Sequence, residues 1–98
     1  MTFKVLIAED EDITRKHIVN ALRDEEYEAE DADNGVDALA RIEADDFDVL
    51  IADIKMPRMN GLELLSNVKE VSPETEVIVI TGFGSISSAV DAMKKGAD

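Results

Sequence analysis

Four short runs of branched apolar residues recur along the chain, each separated from the next by a stretch with helical spacing. The first, Lys4–Ala8 (KVLIA), is bounded by acids and reads as a strand buried on both faces. A helix follows, starting at Asp12 or Thr14, with Ile13, Ile18, Ala21 and Leu22 predicted on one face. Residues 27–32 alternate weakly and suit a short second strand near an edge. Asn34-Gly35 is a turn signal, and Val36, Leu39, Ala40 and Ile42 mark a second helix. Residues 48–53 (DVLIAD) give a third, strongly buried strand. Met56-Pro57 and Asn60-Gly61 punctuate the loop after it. Leu62, Leu65 and Val68 mark a third helix, stopped by Ser72-Pro73. Residues 76–81 (EVIVIT) form the fourth strand. After Gly82-Phe83-Gly84 comes a helical stripe of Ile86, Ala89, Val90 and Met93, with Lys94, Lys95 and Gly96 as its expected C-terminus. Strands alternating with helices in this way call for an α/β architecture. The sheet is expected to be parallel, with right-handed crossovers and helices on both faces.

With 98 residues, the chain suits one domain, 1–98, with no internal linker or repeat. It is 45% hydrophobic and 34% charged, a globular balance. Aromatic residues are scarce (Phe3, Tyr27, Phe47 and Phe83), so Ile, Val, Leu and Ala must build the core. The absence of cysteine removes disulfides and thiolate metal sites and fits a reducing cytoplasm. No apolar run approaches membrane-spanning length and the N-terminus has no signal-peptide pattern, so a cytoplasmic location and no membrane contact are expected. The net charge is −13, from 23 acidic and 10 basic residues. Such a surface disfavours direct nucleic-acid contact, which depends on Lys and Arg releasing counterions. It favours cations and basic protein surfaces, although acidity also serves solubility alone.

In an open parallel sheet, functional groups gather at the C-terminal ends of the strands. Those ends here carry Glu9 and Asp10, Asp53, and Thr81. Three carboxylates on one rim repel one another unless a cation neutralises them. Hard oxygen donors with room for water suit Mg2+. One carboxylate can then act as a nucleophile towards a phosphoryl group while the metal and a hydroxyl stabilise the transferring oxygens. Each residue also has a plainer reading. Asp10, Glu11 and Asp12 suit the positive end of the first helix. Asp53 suits a loop-start acid bonding to local backbone, and Thr81 an ordinary strand end. Pro57 and Gly61 suit turn formers. His17, the sole histidine, suits a surface position.

Three blocks taken together narrow these readings: Glu9-Asp10 after KVLIA, DVLIADIKMPRMNG over residues 48–61, and VIVITGFGS over residues 77–85. In this combination the chain resembles the response-regulator receiver family. The resemblance implies a flavodoxin-like, doubly wound sheet of family order 2-1-3-4-5. It assigns Asp53 as phosphoacceptor and Asp10 as a Mg2+ ligand, with Glu9 acting directly or through a metal-bound water. The Lys55 backbone carbonyl would complete the protein's share of the metal shell. Thr81 would donate its hydroxyl to the phosphoryl group, and Gly82 would leave the nucleophile accessible. Lys55 and Phe83 fall where the family modulates dephosphorylation. The implied partners are a histidine kinase as donor and an output domain outside this chain, with transcription as the expected output. Any chemistry would be self-catalysed transfer and hydrolysis rather than that of a conventional enzyme. The stretch TGFGSISSAVDAMKKGA most resembles receivers attached to sigma-54-dependent activators.

The chain departs from the family pattern at its end. The family's fifth strand, with its lysine, aromatic switch residue and following helix, has no counterpart before Asp98, so an order 2-1-3-4 is expected. Lys94 and Lys95 are expected on the preceding helix, a placement that gives no ground for reading them as substitutes. The rival expectation is therefore a receiver-fold interaction module that is not productively phosphorylated. A sheet ending at strand four is also expected to self-associate through that edge, or to order loosely beyond it.

Overall fold

A computed structural model describes residues 3–80 of the chain. Its elements are β1 (Lys4–Ala8), α1 (Asp12–Asp24), β2 (Glu28–Ala32), α2 (Gly35–Ala44), β3 (Val49–Asp53), α3 (Gly61–Val71) and β4 (Glu76–Ile80). The strands form one parallel sheet, as the alternation predicts, in the order β2-β1-β3-β4 that the resemblance implies. Among the described residues no helix is long and apolar enough to cross a membrane. Thr81, Gly82, Phe83, the Ile86-to-Met93 stripe, Lys94 and Lys95 lie outside the described residues.

Strand alternation divides the core into two layers. Val5 and Ile7 of β1, with Val49 and Ile51 of β3, pack against Ile18, Val19 and Leu22 of α1. Their neighbours Leu6, Ala8, Leu50 and Ala52 face the other way, onto Ala38 and Ile42 of α2 and Leu64 and Val68 of α3. Every residue from Val5 to Ala8 and from Val49 to Ala52 is therefore fully buried, which is why both strands read as unbroken apolar runs.

The helix faces differ in detail from the spacing read in the sequence. Ile13 is 71% exposed and Leu62 is 55% exposed, so neither joins the core. In α3 the buried stripe is Gly61, Leu64 and Val68, and in α2 it is Gly35, Ala38 and Ile42, with Leu39 packed at its margin and Ala40 exposed. At about 3.6 residues per turn Ile13 points away from the Ile18, Val19 and Leu22 face of α1, and Leu62 away from the Leu64 and Val68 face of α3.

The two Asn-Gly pairs are helix starts rather than free turns. The Asn34 side chain accepts from the Asp37 amide at 2.9 Å. Asn60 and Glu63 form a reciprocal capping box, with the Asn60 side chain accepting from the Glu63 amide at 2.9 Å and the Glu63 carboxylate from the Asn60 amide at 3.3 Å.

A candidate acidic phosphoacceptor site

Parallel register brings the site together at one end of the sheet. Ala8 pairs with Ala32 on one side and with Ala52 on the other. Glu9 extends the ladder by one step, its amide donating to the Ala32 carbonyl at 3.1 Å. Asp53 is the last residue of β3, opposite Ile80 of β4. Glu9 and Asp53 thus end adjacent strands at the same level, and Asp10 follows directly. Carboxylate oxygens of Glu9, Asp10 and Asp53 all lie within 4.8 Å of one another.

The three acids have different surroundings. Glu9 is buried, Asp53 is half-buried and Asp10 is exposed. The Glu9 carboxylate accepts from the Glu11 amide at 3.1 Å. Burial, reinforced by a hydrogen bond to Asp53, nevertheless pushes its pKa up to about 8. The metal-free site thus relieves its crowding by holding a proton on the most buried member. One oxygen of Asp53 accepts from the Lys55 amide at 3.3 Å, so the plainer reading, a local backbone bond, holds alongside membership of the cluster. Lys55 itself is exposed.

The loop after Asp53 is held from several directions. The Ile54 amide donates to the Ile80 carbonyl at 3.2 Å, and the Gly61 amide to the Ile54 carbonyl at 2.9 Å. A side chain on Gly61 would overlap the Asp53 carbonyl oxygen and come within 2.9 Å of its carbon. Gly61 is therefore more than the turn former read in the sequence: it lets the first turn of α3 lie directly on the phosphoacceptor candidate's backbone. Gly35 plays the same part for Met59, whose Cβ would lie 2.7 Å from a side chain there. Arg58 adopts φ 70°, in the left-handed region that favours glycine. In the sequence these residues carry no such signal, and Gly61 and Asn60 stand only as turn and loop formers.

The donor set fits a hard divalent cation. Among the described residues no Lys or Arg side chain forms an ion pair with Glu9, Asp10 or Asp53. Close carboxylates with no internal counter-charge are stabilised by a bound cation, and oxygen-only donors select Mg2+ or a similar ion. His17 is on the surface, and Asp12 stands in the first turn of α1.

A family model for the response regulator receiver domain matches residues 5–98. The chain belongs to the response-regulator receiver family. This receiver domain is 35% identical over 89 residues to the response regulator receiver protein CpdR of Brucella abortus, covering 91% of this chain and 74% of that protein. It is 36% identical to the transcriptional regulatory protein ZraR of Klebsiella oxytoca, covering 94% of this chain but 21% of ZraR. Its fold superposes with a TM-score of 0.80 on the response regulator protein TrrA of Thermotoga maritima, solved in complex with Mg2+–BeF, at 27% identity and covering 94% of this chain and 80% of that one. The flavodoxin-like reading of the sheet and the family reading of the three sequence blocks both stand.

Proposed function

We propose that this receiver domain accepts a phosphoryl group on Asp53 from a histidine kinase, with Mg2+ as cofactor, and so regulates a separate output domain governing transcription. The observation that carries the reading is the convergence of Glu9, Asp10 and Asp53 within 4.8 Å at the C-terminal rim of the sheet. Asp10 and Asp53 would hold the metal directly, Glu9 directly or through water, and the Lys55 backbone carbonyl would add a fourth protein oxygen. When bound, Mg2+ neutralises the charge that gathers on the phosphoryl oxygens. An Asp53 carboxylate oxygen attacks phosphorus, the bond from phosphorus to its carrier breaks, and the carrier leaves with that electron pair. With a phosphohistidine the carrier is imidazole, and an acyl phosphate forms on Asp53. The Lys55 amide, which already bonds to one oxygen of Asp53, orients the carboxylate so that the other is free to react. The Thr81 hydroxyl would donate to the transferred group. The Mg2+–BeF complex of TrrA and the transcriptional role in the name of ZraR support this assignment.

The test uses a small phosphodonor. Incubation with acetyl phosphate and Mg2+ should add one phosphoryl group, mapped to Asp53, and Asp53→Asn should abolish it. Label found mainly on a serine or on His17 would overturn the assignment.

A further inference from the structure

We propose that Arg15 is a positioning residue for the metal-binding loop, its guanidinium fixing the backbone of Glu9 so that the Glu9 and Asp10 carboxylates face Asp53. This rests on the metal reading given above. Arg15 lies on α1, one turn beyond the acids, and its side chain is only 13% exposed. Each of its three nitrogens is engaged with a different element. Nη1 donates to the Glu9 carbonyl at 3.0 Å, in the loop between β1 and α1. Nε donates to Asp31 at 3.1 Å, on β2, where Asp31 pairs with Ile7 of β1. Nη2 donates to Asp12 at 2.6 Å, in the first turn of α1.

The consequence is that Glu9 is held at both ends of its own backbone. Its amide is bonded to Ala32 and its carbonyl to Arg15. The carbonyl of Glu9 belongs to the peptide that leads into Asp10, so the same bond orients the exposed acid as well. Left to itself, a loop carrying Glu9, Asp10, Glu11 and Asp12 would spread to reduce repulsion. Asp31 and Asp12 hold the guanidinium in place, and the guanidinium holds the loop. A planar fork with donors in three fixed directions suits this task, and a lysine ammonium does not reproduce it.

The test compares wild type with Arg15→Lys, which keeps the charge and loses the fork, and with Asp31→Asn, which removes one anchor of the fork and leaves Arg15 in place. Lys16→Gln, an exposed change on the same helix, controls for lost charge. In the metal-free proteins, amide exchange at Glu11, whose N–H is bonded to the Glu9 carboxylate, should quicken about tenfold in Arg15→Lys, while the β1 amides keep their protection. Mg2+ titration followed by amide shifts should show affinity weakened about 10- to 100-fold, as is usual when a partner of a metal ligand is removed. Lys16→Gln should change it by less than about twofold. Unchanged Glu11 exchange in both Arg15→Lys and Asp31→Asn would overturn the positioning role. So would a loss of protection spread evenly over β1 and α1, which marks general destabilisation. A wild-type protein whose Glu9, Asp10 and Asp53 signals ignore Mg2+ would instead sink the metal reading, with the exchange result still deciding the role of Arg15.

Discussion

Gly61 packs so tightly on Asp53 that a single added methyl group would overlap the Asp53 carbonyl oxygen. The obstructing atoms are backbone, the Asp53 carbonyl and the Ile54 Cα at 3.0 Å, and cannot swing aside as a side chain would. Gly61→Ala should therefore push the first turn of α3 away from β3. A cost of about 1–3 kcal/mol is expected from overpacking of this kind. Because the displaced atoms belong to the proposed phosphoacceptor, phosphorylation by acetyl phosphate should slow by more than the stability loss explains. Chemical denaturation and phosphorylation rates, measured on the same samples, check both parts.

The capping box offers a control for that result. Asn60→Ala removes the side chain that accepts the Glu63 amide but leaves Gly61 against Asp53. It should cost about 1 kcal/mol, the usual value of an N-cap. Its phosphorylation rate should stay near that of wild type while the protein is folded. A rate loss equal to that of Gly61→Ala would show that α3 acts on the site through its stability alone.

Glu9 gives the metal-free protein a pH dependence of defined sign. In the unfolded chain its carboxyl ionises near the ordinary 4.5, whereas in the folded protein burial and the bond to Asp53 raise this to about 8. Between these values the folded state binds the extra proton, so stability falls as pH rises. The contribution is fully present below about 4.5 and is lost as pH passes about 8. Denaturation in chelator should show this slope, and Glu9→Gln should flatten it. On the proposed reading Mg2+ would displace the same proton, so its affinity should rise with pH up to about 8. Calorimetry in buffers of different ionisation enthalpy would reveal the proton released.

The parts of this protein legible in its sequence are those set by burial on both faces of a strand. Val5, Leu6, Ile7 and Ala8 leave no polar position, so their run could only be a central strand, and the acids that follow had to stand on the rim. The convergence of Glu9, Asp10 and Asp53 also needs β1 and β3 to be neighbours in register, which the resemblance implied and the alternation alone did not. Helix faces were less legible because α1 and α3 carry apolar residues, Ile13 and Leu62, off the face that the sheet covers, and a short helix offers few positions to tell the two faces apart. The contacts of Gly61 with Asp53 and of Arg15 with Glu9 join residues on different elements, so no local pattern in the sequence records them. A glycine required by close approach looks, in sequence, like a glycine in a turn.

Crowded charge at the rim leads to a prediction that separates the metal from the fold. Asp10 and Asp53 both raise the Glu9 pKa, after burial has done most of it, and the oxygens of all three lie within 4.8 Å. In the absence of metal, Asp10→Asn removes one repelling charge without removing a core contact, since Asp10 is exposed. The metal-free variant should therefore be more stable than wild type, by about 1 kcal/mol for charges at this spacing in a largely aqueous setting. It should also ionise Glu9 at lower pH. Mg2+ should stabilise wild type more than the variant, because binding to the folded state alone adds stability in proportion to affinity. At saturating Mg2+ the order of stability should consequently reverse. Thermal unfolding of the two proteins with chelator and with Mg2+ checks this. A variant less stable under both conditions would mean that Asp10 stabilises the fold at the N-terminus of α1 rather than serving a metal.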